Sequence, residues 1–257
     1  MKIWAFLTFL LSSPAMAAGG FTWFSSLQKM TGTHIPEHVL SFILVGVVLI
    51  SVGFIYRSGI AKIKDLVVPD GRITFRNLVE SYGRFIYFQC KAILGEKEAP
   101  KYFSFIATVF LVILVSNLIG LIPGFLPPTE VTSTTLALGL FSFVYYNVKG
   151  CQELGSVNYL KHFAGPLWYL APLIFSIEII SNFIRPLSLA LRLRSNMMGD
   201  HLVLTTFSEL IPFLVPIPFY ILGLIVCFIQ AYVFTVLSMI YISLAVSHHD
   251  HDEKAVH

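Results

Sequence analysis

Two long apolar segments close this chain, 166–211 and 218–246, and the first of them holds three arginines. Arg185, Arg192 and Arg194 fall within SNFIRPLSLALRLRSNMMGDH, residues 181–201. A charge at the centre of a bilayer costs about 3 kcal/mol on insertion scales, and more in simulations. A sequence keeps one there only if something compensates it or something needs it. Glu178, Asn182, Asn196, Asp200 and His201 crowd the same stretch.

Composition places these segments in a membrane. The 257 residues are 56% hydrophobic and 12% charged, with a mean hydropathy of +0.79. A soluble domain carries about 25% charged residues. Half that leaves too little polar surface to hold a globule in water, so the class is an all-α polytopic membrane protein. The net charge of +3 is too small to point to nucleic acid. Cys90, Cys151 and Cys227 are odd in number, widely spaced and without a CxxC, so neither a disulfide framework nor a zinc site is indicated.

The first residues pair an early Lys2 with an apolar run over 3–11 and the small-residue pattern Ala15-Met16-Ala17. This is the pattern of a secretory signal peptide over 1–17, cleaved after Ala17, with an uncleaved anchor as the alternative. It points to a bacterial inner membrane and a periplasmic N-terminus. A single membrane domain over 18–257 follows.

The run 39–56 has the length of a spanning helix. It ends at Arg57, and Lys62, Lys64, Arg72 and Arg76 follow, which puts this end in the cytoplasm. Over 73–94 the apolar residues Phe75, Leu78, Val79, Tyr82, Phe85, Ile86 and Ile93 recur at helical spacing. Arg76, Asn77, Glu80, Arg84 and Lys91 take the other side, so an amphipathic interfacial helix is expected. Residues 103–122 span outward, and Pro123, Pro127 and Pro128 stop the helix. The outer loop to Thr135 lacks lysine and arginine. Residues 132–148 return to Lys149 on the cytoplasmic side. The expectation is about five membrane helices plus the interfacial one, with a histidine-rich C-terminal tail in the cytoplasm.

Length adds a constraint on 166–211. The 36 residues over 174–209 would make about 54 Å of helix, against about 30 Å of hydrocarbon. Such a helix bends, at Pro186 for instance, or tilts steeply. A long, strongly tilted hairpin of 166–211 with 218–246 is the preferred arrangement.

On a helix, positions seven apart nearly eclipse. Glu178, Arg185 and Arg192 share one line, Gly199 continues it, and Asn182, Ser188, Asn196 and Asp200 flank it. Arg194 faces elsewhere. At a seven-residue separation, Glu178 is not expected to neutralise Arg185 or Arg192 directly. An arginine without a local acid asks for a mobile or external partner, and intramembrane ionisable residues usually mark an ion path. Gln230 can project its amide into the same space if the two long helices pair. Ion pairs inside a bundle are the plainer alternative. A secondary transporter should carry paired repeats with interrupted helices, and none is visible. A membrane enzyme would need clustered ligands, whereas His34, His38, His162 and His201 are scattered.

The run Arg185-Pro186-Leu187-Ser188-Leu189-Ala190-Leu191-Arg192-Leu193-Arg194-Ser195-Asn196, continuing to Gly199-Asp200-His201-Leu202, closely resembles the signature of subunit a of F-type ATP synthases. Ile229-Gln230-Ala231-Tyr232-Val233-Phe234-Thr235-Val236-Leu237 resembles that family's last helix, and Ser116-Asn117-Leu118-Ile119-Gly120-Leu121-Ile122-Pro123 its outward helix end. The resemblance covers nearly the whole mature chain, in order.

The resemblance implies a stator subunit with two offset proton half-channels that reach a ring of c subunits. It couples proton flow to ring rotation and to ATP synthesis or hydrolysis. Arg192 takes the position of the essential arginine. Being always charged, an arginine cannot relay protons, and it favours the ionised form of an approaching carboxylate. Asn196 and Gln230 match its polar neighbours. His201 matches a position of the outer half-channel, where histidine suits proton entry because it titrates near neutral pH, and Asp200 beside it is expected to join that relay. Glu178, Asn182 and Ser188 match the cytoplasmic half-channel. The implied partners are the c-subunit ring, the b-subunit peripheral stalk, the rest of the ATP synthase complex and membrane lipid, with no nucleic acid. No cofactor, metal or active site of its own is implied.

Two positions depart from the family pattern. Asp200 stands where glycine is usual, and Gly223 occupies its partner position on the last helix. The outer loop, usually PTSDLNTT, reads Pro128-Thr129-Glu130-Val131-Thr132-Ser133-Thr134-Thr135, which displaces the acid. The resemblance gives no role to Arg194, Glu130 or Glu209.

Overall fold

A computed structural model describes residues 22–25, 35–60, 74–122, 124–155, 171–210 and 216–246. The expected signal peptide, the basic residues Lys62, Lys64 and Arg72, the turn after Leu210 and the histidine-rich tail lie outside the described residues. Among the described residues the regular structure is entirely helical. It comprises α1 (Glu37–Ile60), α2 (Phe75–Ile119), a 3-10 turn (Pro128–Glu130), α3 (Thr132–Leu154), α4 (Ala171–Leu210) and α5 (Pro216–Val246).

Four of the helices, α1, α2, α4 and α5, are long and apolar enough to cross a membrane. This is a multi-pass membrane protein. The 23 residues of α3 give about 34 Å of helix, enough length, but too polar a composition to count with the other four. Its polar residues turn inward. Ser142 donates to Ser238 of α5, and Tyr146 donates to Asn182 of α4. Its outward face is apolar, with Leu140, Phe141, Val144 and Val148 exposed. A helix flanked by protein can carry more polar groups than one ringed by lipid, because its neighbours satisfy them. α1 is the opposite case. It buries little beyond Ser41 and Val45, and Val47, Ile50, Phe54 and Ile55 stand open.

α2 is a helical hairpin. Gly95 breaks it with φ 83° and ψ 171°, a backbone region that favours glycine. The limb 75–94 then folds back along the limb 96–119. Tyr82 donates to the carbonyl of Ala107 at 2.6 Å, and the Tyr87 and Phe103 rings meet edge to face. The amphipathic reading of the first limb needs correction. Arg76, placed on the polar side, is buried and paired with Glu80. The apolar residues divide between two faces. Ile86 and Cys90 enter the core, whereas Leu78 and Phe88 stand 65% and 68% exposed.

The core lies where α2, α3, α4 and α5 meet. Tyr102, Ile106, Phe110, Ile113, Leu193, Ala231, Phe234, Met239 and Ile242 are fully or nearly fully buried there. α3 and α4 approach closely at Gly139. A Cβ at that position would sit 2.7 Å from the Pro186 carbonyl oxygen, so glycine is what permits the crossing. α4 runs through Pro186 as one helix of 40 residues.

Candidate functional site

α4 divides its residues into a buried line and an open line. Asn182, Pro186, Leu189, Ala190, Leu193 and Met197 are buried. Ser188, Arg192, Ser195, Asn196 and Gly199 are exposed. Leu193 has no exposure at all, and its neighbour Arg192 is thereby turned outward. Among the described residues no carboxylate lies within 4.0 Å of the Arg192 nitrogens. Beside it the surface is low, and a Cβ on Gly199 would touch nothing within 4 Å. Arg194 points elsewhere, with its Nε buried and unpartnered among the described residues.

Asn196 Nδ2 donates to Gln230 Oε1 at 2.6 Å. The two long helices pair, and the two amides join one turn beyond Arg192. Asn182 does not join this face. It turns to α3, accepting from the Tyr146 hydroxyl at 2.7 Å and donating to Asn147 Oδ1 at 3.2 Å. Ser188 stays outward, so the structure does not bring Asn182 and Ser188 together.

The expectation that Glu178 leaves Arg185 unpaired is overturned. Arg185 Nη2 lies 3.6 Å from Glu178 Oε1, and the guanidinium carbon lies 5.3 Å from the centre of the Tyr241 ring. Two turns of helix separate the backbones by about 10 Å. Helical side chains lean toward the N-terminus, and arginine is long enough to close the remaining gap. At 3.6 Å the contact is an ion pair without a hydrogen bond.

At the other end of α4 a cavity of about 90 Å³ opens between α4, α5 and the end of α2. Asp200 and His201 line it, with Gly120, Pro127, Gly223 and Cys227. That volume accommodates several waters. Asp200 Oδ2 is buried and unpartnered among the described residues. From the 3-10 turn, Glu130 Oε2 reaches within 3.4 Å of His201 Nδ1. Gly223 leaves room beside Asp200, since a Cβ there would meet Leu121 at 2.8 Å.

Arg192 stands about 12 Å along the helix from Asp200 and about 21 Å from Glu178. A permanent cation, open to a neighbour, therefore separates two groups of polar and ionisable residues. Sequence reasoning missed Tyr146, Asn147 and Tyr241 as partners of Asn182 and Arg185, because aromatic and amide residues on other helices carry no local signal. It also missed the reach of Glu130, although an isolated acid in a loop without lysine or arginine was visible.

The family model described as ATP synthase A chain matches residues 39–243. The chain belongs to that family. It is similar to proteins named ATP synthase subunit a in several bacteria. In Bdellovibrio bacteriovorus the identity is 44% over 229 residues, covering 89% of this chain and 99% of that one. In Geobacter sulfurreducens it is 48% over 194 residues, covering 76% and 82%. In Sorangium cellulosum it is 37% over 215 residues, covering 84% of each. As a member of the ATP synthase A chain family, the protein is a membrane-sector subunit of the ATP synthase complex.

Proposed function

We propose that the chain is the stator half of a rotary proton channel, with Arg192 meeting the carboxylates of a neighbouring c-subunit ring. One observation carries this reading: Arg192 is exposed on α4 with no acid among the described residues within 4.0 Å of its nitrogens. In a membrane a lone guanidinium on an outer face needs a protein partner that supplies the opposite charge. Asn196 and Gln230 fix the helix pair next to it and offer amides to passing carboxylates. Asp200 and His201 serve the outer half-channel, and Glu178 serves the cytoplasmic one, with Asn182 turned to α3 behind it and Ser188 farther along the helix.

Protons leave one half-channel for a ring carboxylate, and that carboxylate must travel round the ring to reach the other. Arg192 prevents the short cut, because it stays charged and neither accepts nor donates a proton. A potential of 100 mV supplies about 2.3 kcal/mol per charge moved. The b-subunit peripheral stalk holds the subunit against rotation. The membrane is the bacterial inner membrane, with the N-terminus periplasmic and the C-terminus cytoplasmic.

The test is Arg192→Ala in the whole ATP synthase, assayed in inverted membrane vesicles. ATP-driven proton pumping should vanish while the subunit remains in the complex. Pumping at the wild-type rate would sink the reading.

A further inference from the structure

Glu130 has a mount of its own. The 3-10 turn Pro128–Glu130 ends one residue before α3, whose cap position, Val131, offers no side-chain hydrogen bond. Thr129 Oγ1 donates to Asn117 Oδ1 at 2.8 Å, and both residues are fully buried. Glu130 N donates to the Pro127 carbonyl at 3.1 Å. Behind the turn, a Cβ on Gly120 would lie 2.6 Å from Pro127 Cβ, so glycine lets the turn sit flush on α2. The turn is thereby fixed from both sides, and it aims Glu130 at α4.

The side chain ends beside one group. Glu130 Oε2 lies 3.4 Å from His201 Nδ1, and it is buried with no hydrogen bond among the described residues. Asp200 Oδ2 is buried and unbonded in the same way. One unsatisfied carboxylate oxygen therefore touches the imidazole, and a second belongs to the adjoining residue in the same cavity. A buried polar atom left without a partner costs about 1–3 kcal/mol, so such a pair calls for a compensating role.

We propose that Glu130 is a proton-carrying residue of the outer half-channel, exchanging protons with the outer water and with Nδ1 of His201. The inference rests on the half-channel reading of Asp200 and His201. Among the described residues, the titratable groups beside His201 are Glu130 on the 3-10 turn, by contact, and Asp200 on α4 and Cys227 on α5, which line the same cavity, while the segment just past α2 contributes Gly120 and Leu121 to it.

The transfer balances without any further reagent. Glu130 takes a proton from water. Its O–H bond breaks as an N–H bond forms at Nδ1 of His201. The imidazolium then releases the proton on Nε2 toward Asp200 through the cavity, which leaves the Nδ1–H tautomer, and a ring flip or proton exchange with water restores the Nε2–H form for the next transfer. At 3.4 Å the two atoms are a few tenths of an ångström beyond a direct hydrogen bond. A small side-chain rotation or one water closes that gap.

The test uses vesicles bearing the complete ATP synthase. Glu130→Gln keeps the shape and removes the proton. It should lower ATP-driven pumping and passive proton conductance by about tenfold or more, with subunit content unchanged. Glu130→Asp should retain most of the flux with a displaced pH profile. Wild-type flux in Glu130→Gln across the pH range would overturn the proposal. So would equal loss in both variants together with loss of the subunit, which would make Glu130 a structural mount. Arg192→Ala run in parallel separates the two ideas. If it pumps normally, the stator reading falls; if it fails while Glu130→Gln pumps normally, only the relay falls.

Discussion

Asn196 and Gln230 lock α4 to α5 one turn beyond Arg192, with 2.6 Å between the amide nitrogen and the amide oxygen. Two other contacts repeat the register. Phe207 stacks on Phe219 at 4.6 Å toward the C-terminal end of α4, and Arg185 lies over Tyr241 at 5.3 Å toward its N-terminal end. Each step is eleven residues on both helices, close to three full turns. The same faces therefore meet along the whole antiparallel pair. That rotation of α4 is what leaves Arg192 on the outside.

The amide pair should consequently tune Arg192 without holding the fold together. Gln230→Leu removes one hydrogen bond, worth about 0.5–1.5 kcal/mol, and keeps the buried volume. Subunit content in membranes should stay normal. ATP-driven pumping should fall by about two- to tenfold, the range that energy implies. An unchanged rate would mean that the amides do not set the position of the arginine.

The crossing of α3 over α4 has a steric basis, and Gly139 tests it. A leucine there must displace the Pro186 carbonyl, which is backbone and cannot swing aside. Overpacking of this kind costs about 1–3 kcal/mol. Gly139→Leu should lower the amount of subunit in membranes and its melting temperature in detergent. Gly59→Leu, at a position where a Cβ meets nothing within 4 Å, is the control and should do neither.

Much of this architecture was legible in the sequence. The apolar runs, the breakers at Pro127 and Pro128 and the charged stripe on α4 are local patterns, and each maps onto an element. What escaped depends on distant residues. Nothing local to 75–94 announces that the limb doubles back at Gly95 and buries Arg76. The Glu178–Arg185 pair escaped because rules drawn from exposed helix pairs three and four apart understate the reach of an arginine. Asn182 shares its helix with the open stripe, yet Tyr146 and Asn147 on α3 draw its side chain inward.

The cavity between α4 and α5 makes a sharp prediction about Asp200 and Gly223, which line it together. Asp200→Ala should cut passive proton conductance by about tenfold or more. Gly223→Leu should cut it as well, by filling the space rather than by removing an acid. Only the second variant should also slow labelling of Cys227 by a small water-soluble thiol reagent, because Cys227 lines the same space. Normal conductance in Asp200→Ala would remove that residue from the path.

Toward the N-terminal end of α4, Glu178 and Arg185 can be separated into a pair and a position. Their contact at 3.6 Å is partly exposed, and such pairs are worth about 0–1 kcal/mol. Glu178→Gln should therefore leave assembly intact, yet slow ATP-driven pumping by about tenfold if the carboxylate carries protons. The exchange Glu178→Arg with Arg185→Glu rebuilds the ion pair but moves the acid seven residues toward Arg192, about 10 Å along the helix. There the new carboxylate sits nearer the permanent cation and farther from the N-terminal end of α4. The exchanged protein should assemble and still pump poorly. Recovery of the wild-type rate would mean that the pair matters and the place of the carboxylate does not, and Glu178 would then be a structural residue.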